Sequence, residues 1–257
     1  KNIFKTLGIL IITFLILSAS YIVNLFLMKP LSMDHYLAKE LVVELIDSPE
    51  AMTYVGIFDR FSWLTKHSSK LSIPTESDRN EDISELEDRL KILQSYDINK
   101  LSDIQKTTRE IAIFDTKNNL KNKKEFYYHD FPLNQIGGIH LSTIEFLNSM
   151  HPIRNLSEAN ALVDRAFQIK AVFEGTRKSL ERQAEIGIYP PGFVYDHVVE
   201  QLTSFIEYTD EEHPLFTQFV RKIQEINLTN EDKSMLKENL KNAIRTSVTP
   251  GLQLLLD

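Results

Sequence analysis

Three short segments interrupt helical sequence between Phe131 and Gly192, and they decide where the chain turns. They read FPLNQIGG at residues 131–138, HPI at 151–153 and YPPG at 189–192. Proline fixes the backbone angle φ and glycine permits positive φ, so each segment sets a chain direction that ordinary helix residues would not hold. The pattern therefore predicts helices joined by tight, defined turns.

Around these segments, apolar residues recur at three- and four-residue spacing, which is typical of amphipathic helices. The longest such pattern predicts a helix capped by Ser157, running to Ile186 and ended by Gly187. Ser142 with Glu145 predicts a capping box at the start of a shorter helix. No alternation typical of strands is present, so the predicted fold class is all-α.

The segment Ser48-Pro49-Glu50 carries three helix-start signals. Ser48 can cap, Pro49 suits the first helical position, and Glu50 favours the positive end of the helix dipole. The segment predicts a short helix to about Val55, stopped by Gly56. The aromatic stripe that follows is predicted to lie in the core; it comprises Phe58, Phe61, Trp63 and Leu64.

The N-terminus contains the uncharged run Thr6–Met28, whose 23 residues could cross a hydrocarbon core of roughly 30 Å as a helix. Lys1 and Lys5 precede the run, and the positive-inside tendency then places the start in the cytoplasm and the bulk of the chain outside it. A cleaved signal peptide is the alternative, with Ser18-Ala19-Ser20 as a cleavage site. We predict an uncleaved membrane anchor.

The predicted organisation is an N-terminal transmembrane helix followed by a multi-helix domain. Residues 1–30 form the membrane anchor or signal segment, and residues 31–257 form one helical domain. The partner predicted for residues 6–28 is the membrane itself, and the remainder of the chain is expected to be periplasmic or extracellular.

Charge and cysteine content exclude several classes of function. The chain has 257 residues and a net charge of -7, which argues against a nucleic-acid partner. Without residues 1–28 it carries 27 basic and 36 acidic residues, or -9, so an anionic lipid surface would tend to repel it. No cysteine is present, which removes disulfides, thiolate metal sites and Cys nucleophiles.

Catalytic and metal motifs are missing from this sequence. There is no His-Glu-x-x-His, no Gly-x-Ser-x-Gly and no Walker lysine after Gly137-Gly138, where a turn or close backbone approach is the simpler explanation. His197 and Glu200 share a helix face, but no second pair at matching spacing completes a coordination shell. We predict no catalytic residue, no metal site and no cofactor within this chain.

Three polar residues remain as candidate substrate-binding residues. Asn134 and Gln135 lie in the first turn segment, and their amides could either satisfy backbone groups or read a peptide-like ligand. His151 precedes Pro152, where it could cap a helix or reach toward a groove. The sequence leaves both interpretations open for all three.

At these positions the chain resembles the bacterial domain-of-unknown-function 885 family. Members carry a Pro-Leu-Asn-Gln-x-x-Gly run, a His-Pro-Ile/Leu turn and a Pro-Pro-x-Phe-Val segment, which stand here at 132–138, 151–153 and 190–194. An early Ser-Pro-Glu element matches residues 48–50. The resemblance covers roughly residues 40–257.

The resemblance implies an exported, mostly helical zinc metallopeptidase. In the family, a His-Glu motif followed by Pro-Gly-His in the C-terminal half supplies the metal ligands and a general base. This chain has no His-Glu dipeptide, so it resembles an N-terminal portion, and no catalytic residue can be carried over. Zinc and the catalytic half would then lie outside it.

Two hypotheses about function follow. In the first, this is the N-terminal helical half of a membrane-anchored, exported zinc metallopeptidase, inactive alone and forming one wall of a peptide-binding cleft. In the second, it is a non-catalytic, membrane-anchored helical binding or scaffolding module.

Overall fold

A computed structural model describes residues 2–257, except for the side chains of residues 2–4 and 27. Lys1, one of the two predicted cytoplasmic lysines, lies outside the described residues. The helices in chain order are α1 (Asn2–Leu27), α2 (Met33–Asp47), α3 (Pro49–Val55), α4 (Ser62–Thr65), α5 (Glu76–Gln94), α6 (Asp103–Lys121), α7 (Ile139–Glu145), α8 (Leu156–Ala166), α9 (Ile169–Glu185), α10 (Gly192–Glu207), α11 (Pro214–Gln224), α12 (Asn230–Ala243) and α13 (Thr249–Leu256). No strand occurs within this described range, and the all-α prediction is confirmed.

Helix α1 is long and apolar enough to cross a membrane. Its apolar part, Lys5–Phe26, has 22 residues, and its side chains are exposed rather than buried against the protein. A helix of that length spans about 33 Å at 1.5 Å per residue, which matches a hydrocarbon core. The predicted N-terminal spanning segment is therefore present as a continuous helix.

The chain forms two compact units. The first comprises Lys1–Asp47 and Arg79–Glu125, and the second comprises Ser48–Asp78 and Phe126–Asp257. Helix α5 begins in the second unit and continues in the first, because the boundary falls after Asp78.

The first unit has a small core built from α2, α5 and α6. It consists of Met33, Tyr36, Leu93, Tyr96, Ala112 and Ile113. Arg109 closes the end of α5, since its guanidinium donates to the carbonyls of Leu93 and Gln94 at 2.9 and 3.0 Å. A capping box between Ser102 and Gln105 starts α6.

The second unit has the larger core, built from α7 to α13. Its central members are fully buried apolar residues from five helices: Leu162, Ala166, Ile169, Phe173, Leu215, Phe219, Leu236, Leu240, Leu252. The buried hydroxyl of Ser247 links elements of this core, because it accepts from Lys170 N and donates to the carbonyl of Phe167. This core fixes the relative positions of α8, α9 and α13.

The helix-start signals had mixed outcomes. Ser48 accepts from the amide of Ala51 at 3.1 Å, and α3 ends at Gly56 with φ of 70°, so the prediction for this helix is confirmed. The Ser157 cap is wrong. Asn155 has an extended backbone that brings its side chain to the amide of Glu158, and the helix already begins at Leu156.

Two further local predictions fail for backbone reasons. The long predicted helix is divided, because α8 ends at Ala166 and α9 begins only at Ile169. Ser142 caps nothing: α7 begins at Ile139, directly after Gly138, and the Ser142 amide donates to the Gly138 carbonyl inside the first turns. A glycine backbone, rather than a side chain, stands at the N-cap position there.

The prediction of an aromatic core at residues 58–64 is also wrong. Phe58 is half-buried, whereas Phe61, Trp63 and Leu64 are exposed. The segment consists of short turns, one at Asp59–Phe61 and one in α4, and turns this short cannot direct successive apolar side chains to one side.

Candidate functional site

The second unit contains an apolar groove with a volume of about 340 Å³. Helices α9 and α10 form its two long walls, the last turn of α13 closes one side, and the turn after α9 closes another. Its apolar lining residues are Phe131, Leu133, Leu180, Ala184, Ile188, Tyr189, Pro190, Val194, Tyr195, Val198, Val199, Leu202, Leu254, Leu255 and Leu256. A concave, mostly apolar site of this size fits one or two apolar side chains of a ligand.

Few polar groups line the groove, and they are held by neighbours. The Arg177 guanidinium donates to Glu181 at 2.9 Å and to the carbonyl of Leu254 at 3.4 Å, which ties α9 to α13. The buried Gln183 amide donates to the carbonyl of Asp130. These contacts fix the walls before any ligand arrives.

Two of the three turn segments meet at this groove. Phe131 and Leu133 come from the first segment, and Tyr189 and Pro190 come from the third. Between α9 and Tyr189, Gly187 adopts φ of 75°, and the Ile188 amide donates back to the carbonyl of Gln183 at 2.9 Å. This left-handed helix end reverses the chain and directs Ile188 and Pro190 into the groove.

Asn134 closes the first segment on itself. Its side-chain oxygen accepts from the amides of Ile136 and Gly137 at 3.1 and 2.9 Å, and its side-chain nitrogen donates to the carbonyl of Phe131 at 3.1 Å. Gly138 completes the turn by close approach, because a Cβ at this position would lie 2.5 Å from the Asn134 carbonyl oxygen. The expected backbone role of the glycine pair is confirmed at Gly138.

Gln135 contributes its backbone to a buried polar chain. Its carbonyl accepts from the side-chain nitrogen of Gln201 at 3.1 Å, and the side-chain oxygen of Gln201 lies 3.0 Å from Nε2 of His140. His140 is fully buried, and burial lowers its pKa. These hydrogen bonds connect the first turn segment to α7 and α10.

His151 lies in a different environment, at a buried hub centred on Arg165. The Arg165 guanidinium donates to Nδ1 of His151 at 2.8 Å, to Oγ1 of Thr53 at 2.7 Å and to the carbonyl of His67 at 2.9 Å. Its Nε donates to the carbonyl of Lys70 at 2.8 Å. The Arg165 side chain therefore connects α8 to Thr53, which precedes residues 54–66, and to His67 and Lys70, which follow them.

The charge states in the hub follow from burial. Desolvation and the neighbouring Arg165 lower the pKa of His151 to about 3, so the imidazole is neutral at physiological pH. Burial lowers the pKa of Arg165 to about 10, which leaves it charged. Neutral His151 accepts from Arg165 through Nδ1 and donates through Nε2 to the carbonyl of Glu158 at 2.9 Å.

None of the three predicted substrate-binding residues lines the groove. Asn134 and Gln135 lie beside it, in the segment that supplies Leu133, while His151 is enclosed in the hub. Their role in binding stays a prediction. The side chains of Asn134 and His151 are committed to internal hydrogen bonds.

The described residues do not form a zinc site. No group of three or more His, Asp or Glu side chains is placed to hold a metal ion among them. His67 lies 2.6 Å from Thr65 Oγ1, and His213 accepts from the amide of Leu215 at the start of α11, while the buried Nε2 of His213 has no hydrogen-bond partner. The donor set in this part of the chain therefore does not fit zinc.

Sequence reasoning missed both the groove and the hub. Two of the turn segments identified in the sequence line the groove, but the sequence did not show that they lie close together in space. Arg165 had a signal: it lies on the inward helical face with Leu162, Ala166 and Ile169, where a charged residue needs partners. Apart from His151, those partners come from residues about 100 positions earlier, which periodicity cannot reveal.

The fold and groove define a class of protein, an all-α protein that begins with an apolar helix long enough to span a membrane. The match to a family model then makes the relationship specific. Residues 49–257 match the model described as bacterial protein of unknown function (DUF885), and the chain belongs to that family.

The fold also occurs in a solved structure. The crystal structure titled "putative lipoprotein from Colwellia psychrerythraea" is 17% identical to this chain, with a TM-score of 0.68. The match covers 85% of this chain and 40% of that protein, so the chain spans less than half of its length. No curated protein matches the chain.

Proposed function

We propose that this chain is the N-terminal helical half of a membrane-anchored, exported zinc metallopeptidase, and that it forms one wall of a peptide-binding cleft. The groove between α9 and α10 carries the proposal, because it brings two of the family-like turn segments to one concave apolar surface. The chain itself contributes binding and supplies no catalytic residue.

The lining favours an extended peptide with an apolar side chain. In an extended chain alternate side chains point to the same side, so one side chain can enter the groove while its neighbours stay outside. The exposed rim residues Tyr189 and Tyr195 present aromatic faces; the Tyr189 hydroxyl donates to the carbonyl of Ala184 at 3.0 Å, so only its oxygen is left to accept from a ligand. Such rings can cover apolar side chains and hydrogen-bond a peptide backbone.

The anchor and its flanking charge support export. Lys5 stands at the N-terminal end of the apolar helix, and cytoplasmic flanks of membrane helices are enriched in Lys and Arg. In the proposed orientation, the groove would lie outside the cytoplasm. Zinc and its general base belong, in this proposal, to a C-terminal half and not to any residue described above.

Peptide binding to the full chain in lipid nanodiscs tests the role of the groove. The probes are fluorescein-labelled Ala-Ala-Leu-Ala-Ala and Ala-Ala-Asp-Ala-Ala, compared by fluorescence polarisation. We expect the leucine peptide to bind more tightly. Equal binding of both, or binding of neither, would count against an apolar peptide site.

A matched pair of variants locates the binding. Val199→Glu places a charge in the groove wall, whereas Met235→Glu changes a residue of similar exposure, 45% against 46%, outside the groove lining. We expect the first to weaken leucine-peptide binding at least tenfold and the second to leave it unchanged. Equal effects would place the binding elsewhere.

The reading frame beyond Asp257 separates the enzyme from the binding module. A downstream His-Glu segment followed by Pro-Gly-His would support the metallopeptidase. A stop codon directly after Asp257 would leave the anchored binding or scaffolding module.

A further inference from the structure

A second surface of the same unit exposes large apolar side chains at residues 54–66, which we name the Trp63 loop. Six of its members are exposed: Tyr54, Val55, Ile57, Phe61, Trp63 and Leu64. Trp63 is 73% exposed and Tyr54 72%. Single exposed apolar residues are ordinary, but six within eleven positions form a patch that normally marks an interaction site.

Hydrogen bonds from Arg165 hold this loop at both of its ends. Before the loop, Arg165 donates to Thr53; after it, the same guanidinium donates to the carbonyls of His67 and Lys70. Lys66 ends α4 with φ of 53°, a left-handed conformation that is uncommon for a lysine. The exposure of the patch is therefore built into the fold.

The exposed charged side chains between residues 54 and 70 are all positive. Arg60, Lys66 and Lys70 are exposed within or beside it. The only acid in the loop, Asp59, is bonded to Arg154 at 2.5 Å and is half-buried. Although the whole chain carries -7, charges farther away than roughly 10 Å are largely screened, so a nearby surface meets the loop's own cations.

Aromatic residues together with Arg and Lys are typical of protein surfaces that contact the membrane interface. Tryptophan and tyrosine favour the headgroup level of a bilayer, and cations favour anionic headgroups. The loop also follows the apolar helix closely in sequence, because Tyr54 comes only 28 positions after Phe26, the end of that helix. The exposed cations of the loop and its short sequence distance from the apolar helix favour a membrane over a second copy of the chain or a soluble partner.

We infer that the Trp63 loop inserts into the interfacial layer of the bilayer in which α1 is anchored. Phe61, Trp63 and Leu64 enter the headgroup region, while Arg60 and Lys66 contact anionic headgroups. The loop would then be a second membrane contact. The inference rests on the anchoring proposed above but not on peptide binding or catalysis.

The test uses a favourable feature of the sequence, because Trp63 is the only tryptophan in the chain. The full chain is reconstituted in vesicles of phosphatidylcholine and phosphatidylglycerol at 3:1, and flotation of the vesicles first checks the anchor. Tryptophan emission is then compared with and without phosphatidylcholine brominated near the headgroup. We expect at least half of the emission to be quenched by the brominated lipid.

Three results would overturn the inference. A chain that does not float with the vesicles would refute both the anchor and the loop contact. Emission typical of water, accessible to acrylamide and insensitive to brominated lipid, would refute the loop contact alone. Blue-shifted emission that brominated lipid does not quench would show that protein, either a second copy or another polypeptide, covers Trp63.

Two variants control for position and charge. Trp63→Phe combined with Met235→Trp moves the reporter to an exposed position on α12, and we expect little quenching there. Arg60→Glu with Lys66→Glu should reduce Trp63 quenching at least twofold in the anionic vesicles. Equal quenching at both reporter positions, or no effect of the charge reversal, would contradict the inference. Far-UV circular dichroism checks that each variant is folded.

Discussion

The guanidinium of Arg165 donates to Nδ1 of His151 across 2.8 Å in the interior of the second unit, where both residues are at most 1% exposed. This pair explains the His-Pro-Ile segment in physical terms. His151 ends the helical turn at Phe146–Met150, and its neutral ring presents an acceptor to a buried cation. His151 therefore belongs to the buried interior of the second unit, and its role in ligand binding stays a prediction.

Replacing Arg165 with methionine should destabilise the protein strongly. The change leaves Nδ1 of His151 and the carbonyl of Lys70 without a donor, and each buried unsatisfied group costs about 1–3 kcal/mol. We expect the free energy of unfolding to fall by about 3 kcal/mol, measured by urea denaturation of the full chain in detergent. The control is Arg154→Met, which removes an ion-pairing arginine that is more than half exposed and should cost about 1 kcal/mol or less. Equal decreases in the free energy of unfolding for the two variants would show that the buried hub contributes no more to stability than an exposed ion pair.

Stability should also depend on pH through His151. Its pKa is about 3 in the fold and returns to the ordinary 6.5 when the chain unfolds, so between these values the unfolded state binds more protons. His151 therefore costs nothing above pH 6.5, and it lowers the free energy of unfolding as the pH drops from 6.5 toward 3, by about 1.4 kcal/mol per pH unit.

The matched variant for this prediction is His151→Gln. Glutamine can accept from Arg165 and donate to the carbonyl of Glu158, but it does not titrate in this range. Between pH 4.5 and 6, the free energy of unfolding of the variant should depend less steeply on pH, by about 1.4 kcal/mol per pH unit. Denaturation curves at several pH values measure this dependence. The remaining slope comes in part from His213, whose pKa burial lowers to about 4. An unchanged slope would mean that His151 is not buried and neutral.

The sequence was most informative where structure depends on neighbours along the chain. The cap at Ser48, the stop at Gly56 and the helical class all follow from local rules. The cap at Asn155 shows the limit of these rules: Asn155 and Ser157 are both good capping residues, and only the extended backbone at Asn155 decides between them.

Burial at residues 54–66 depends on what the rest of the fold covers, and hydrophobicity alone cannot predict it. Trp63 has the composition of a core residue, yet no helix of its own unit covers it. The candidate site had the same difficulty. Its turn segments were recognisable, but Leu133 and Tyr189 line one groove because Gln183 of α9 and Gln201 of α10 hold the first segment in place.

Gly138 should tolerate alanine much less well than its neighbour Gly137. A Cβ at 138 would lie 2.5 Å and 2.7 Å from the backbone of Asn134, whereas one at 137 meets nothing within 4 Å. We expect Gly138→Ala to lower the free energy of unfolding by about 1–3 kcal/mol. Gly137→Ala should be neutral or stabilise by up to about 1 kcal/mol, since it reduces the entropy of the unfolded chain. Urea denaturation of both variants measures the difference, and similar values would refute the close approach.

The N-terminal helix should remain on the mature protein and hold it in the membrane. The apolar segment continues through Ile22 and Phe26, beyond the alternative cleavage site at Ser18–Ser20, and the structure keeps it in one helix. After expression of the full chain in a bacterial host, we expect the protein to stay in the membrane pellet after alkaline carbonate extraction. Mass spectrometry should detect residues preceding Tyr21.

A variant separates spanning from surface attachment. Leu15→Arg with Leu17→Arg places two cations in the middle of the helix, each costing about 2.5–3.5 kcal/mol of membrane insertion. The variant should appear in the carbonate-soluble fraction, whereas Leu15→Ala with Leu17→Ala should stay in the pellet. An N-terminus near Tyr21 would instead identify a cleaved signal peptide, because the spanning segment would then be lost, and the Trp63 loop would lose the tether that keeps it near a bilayer.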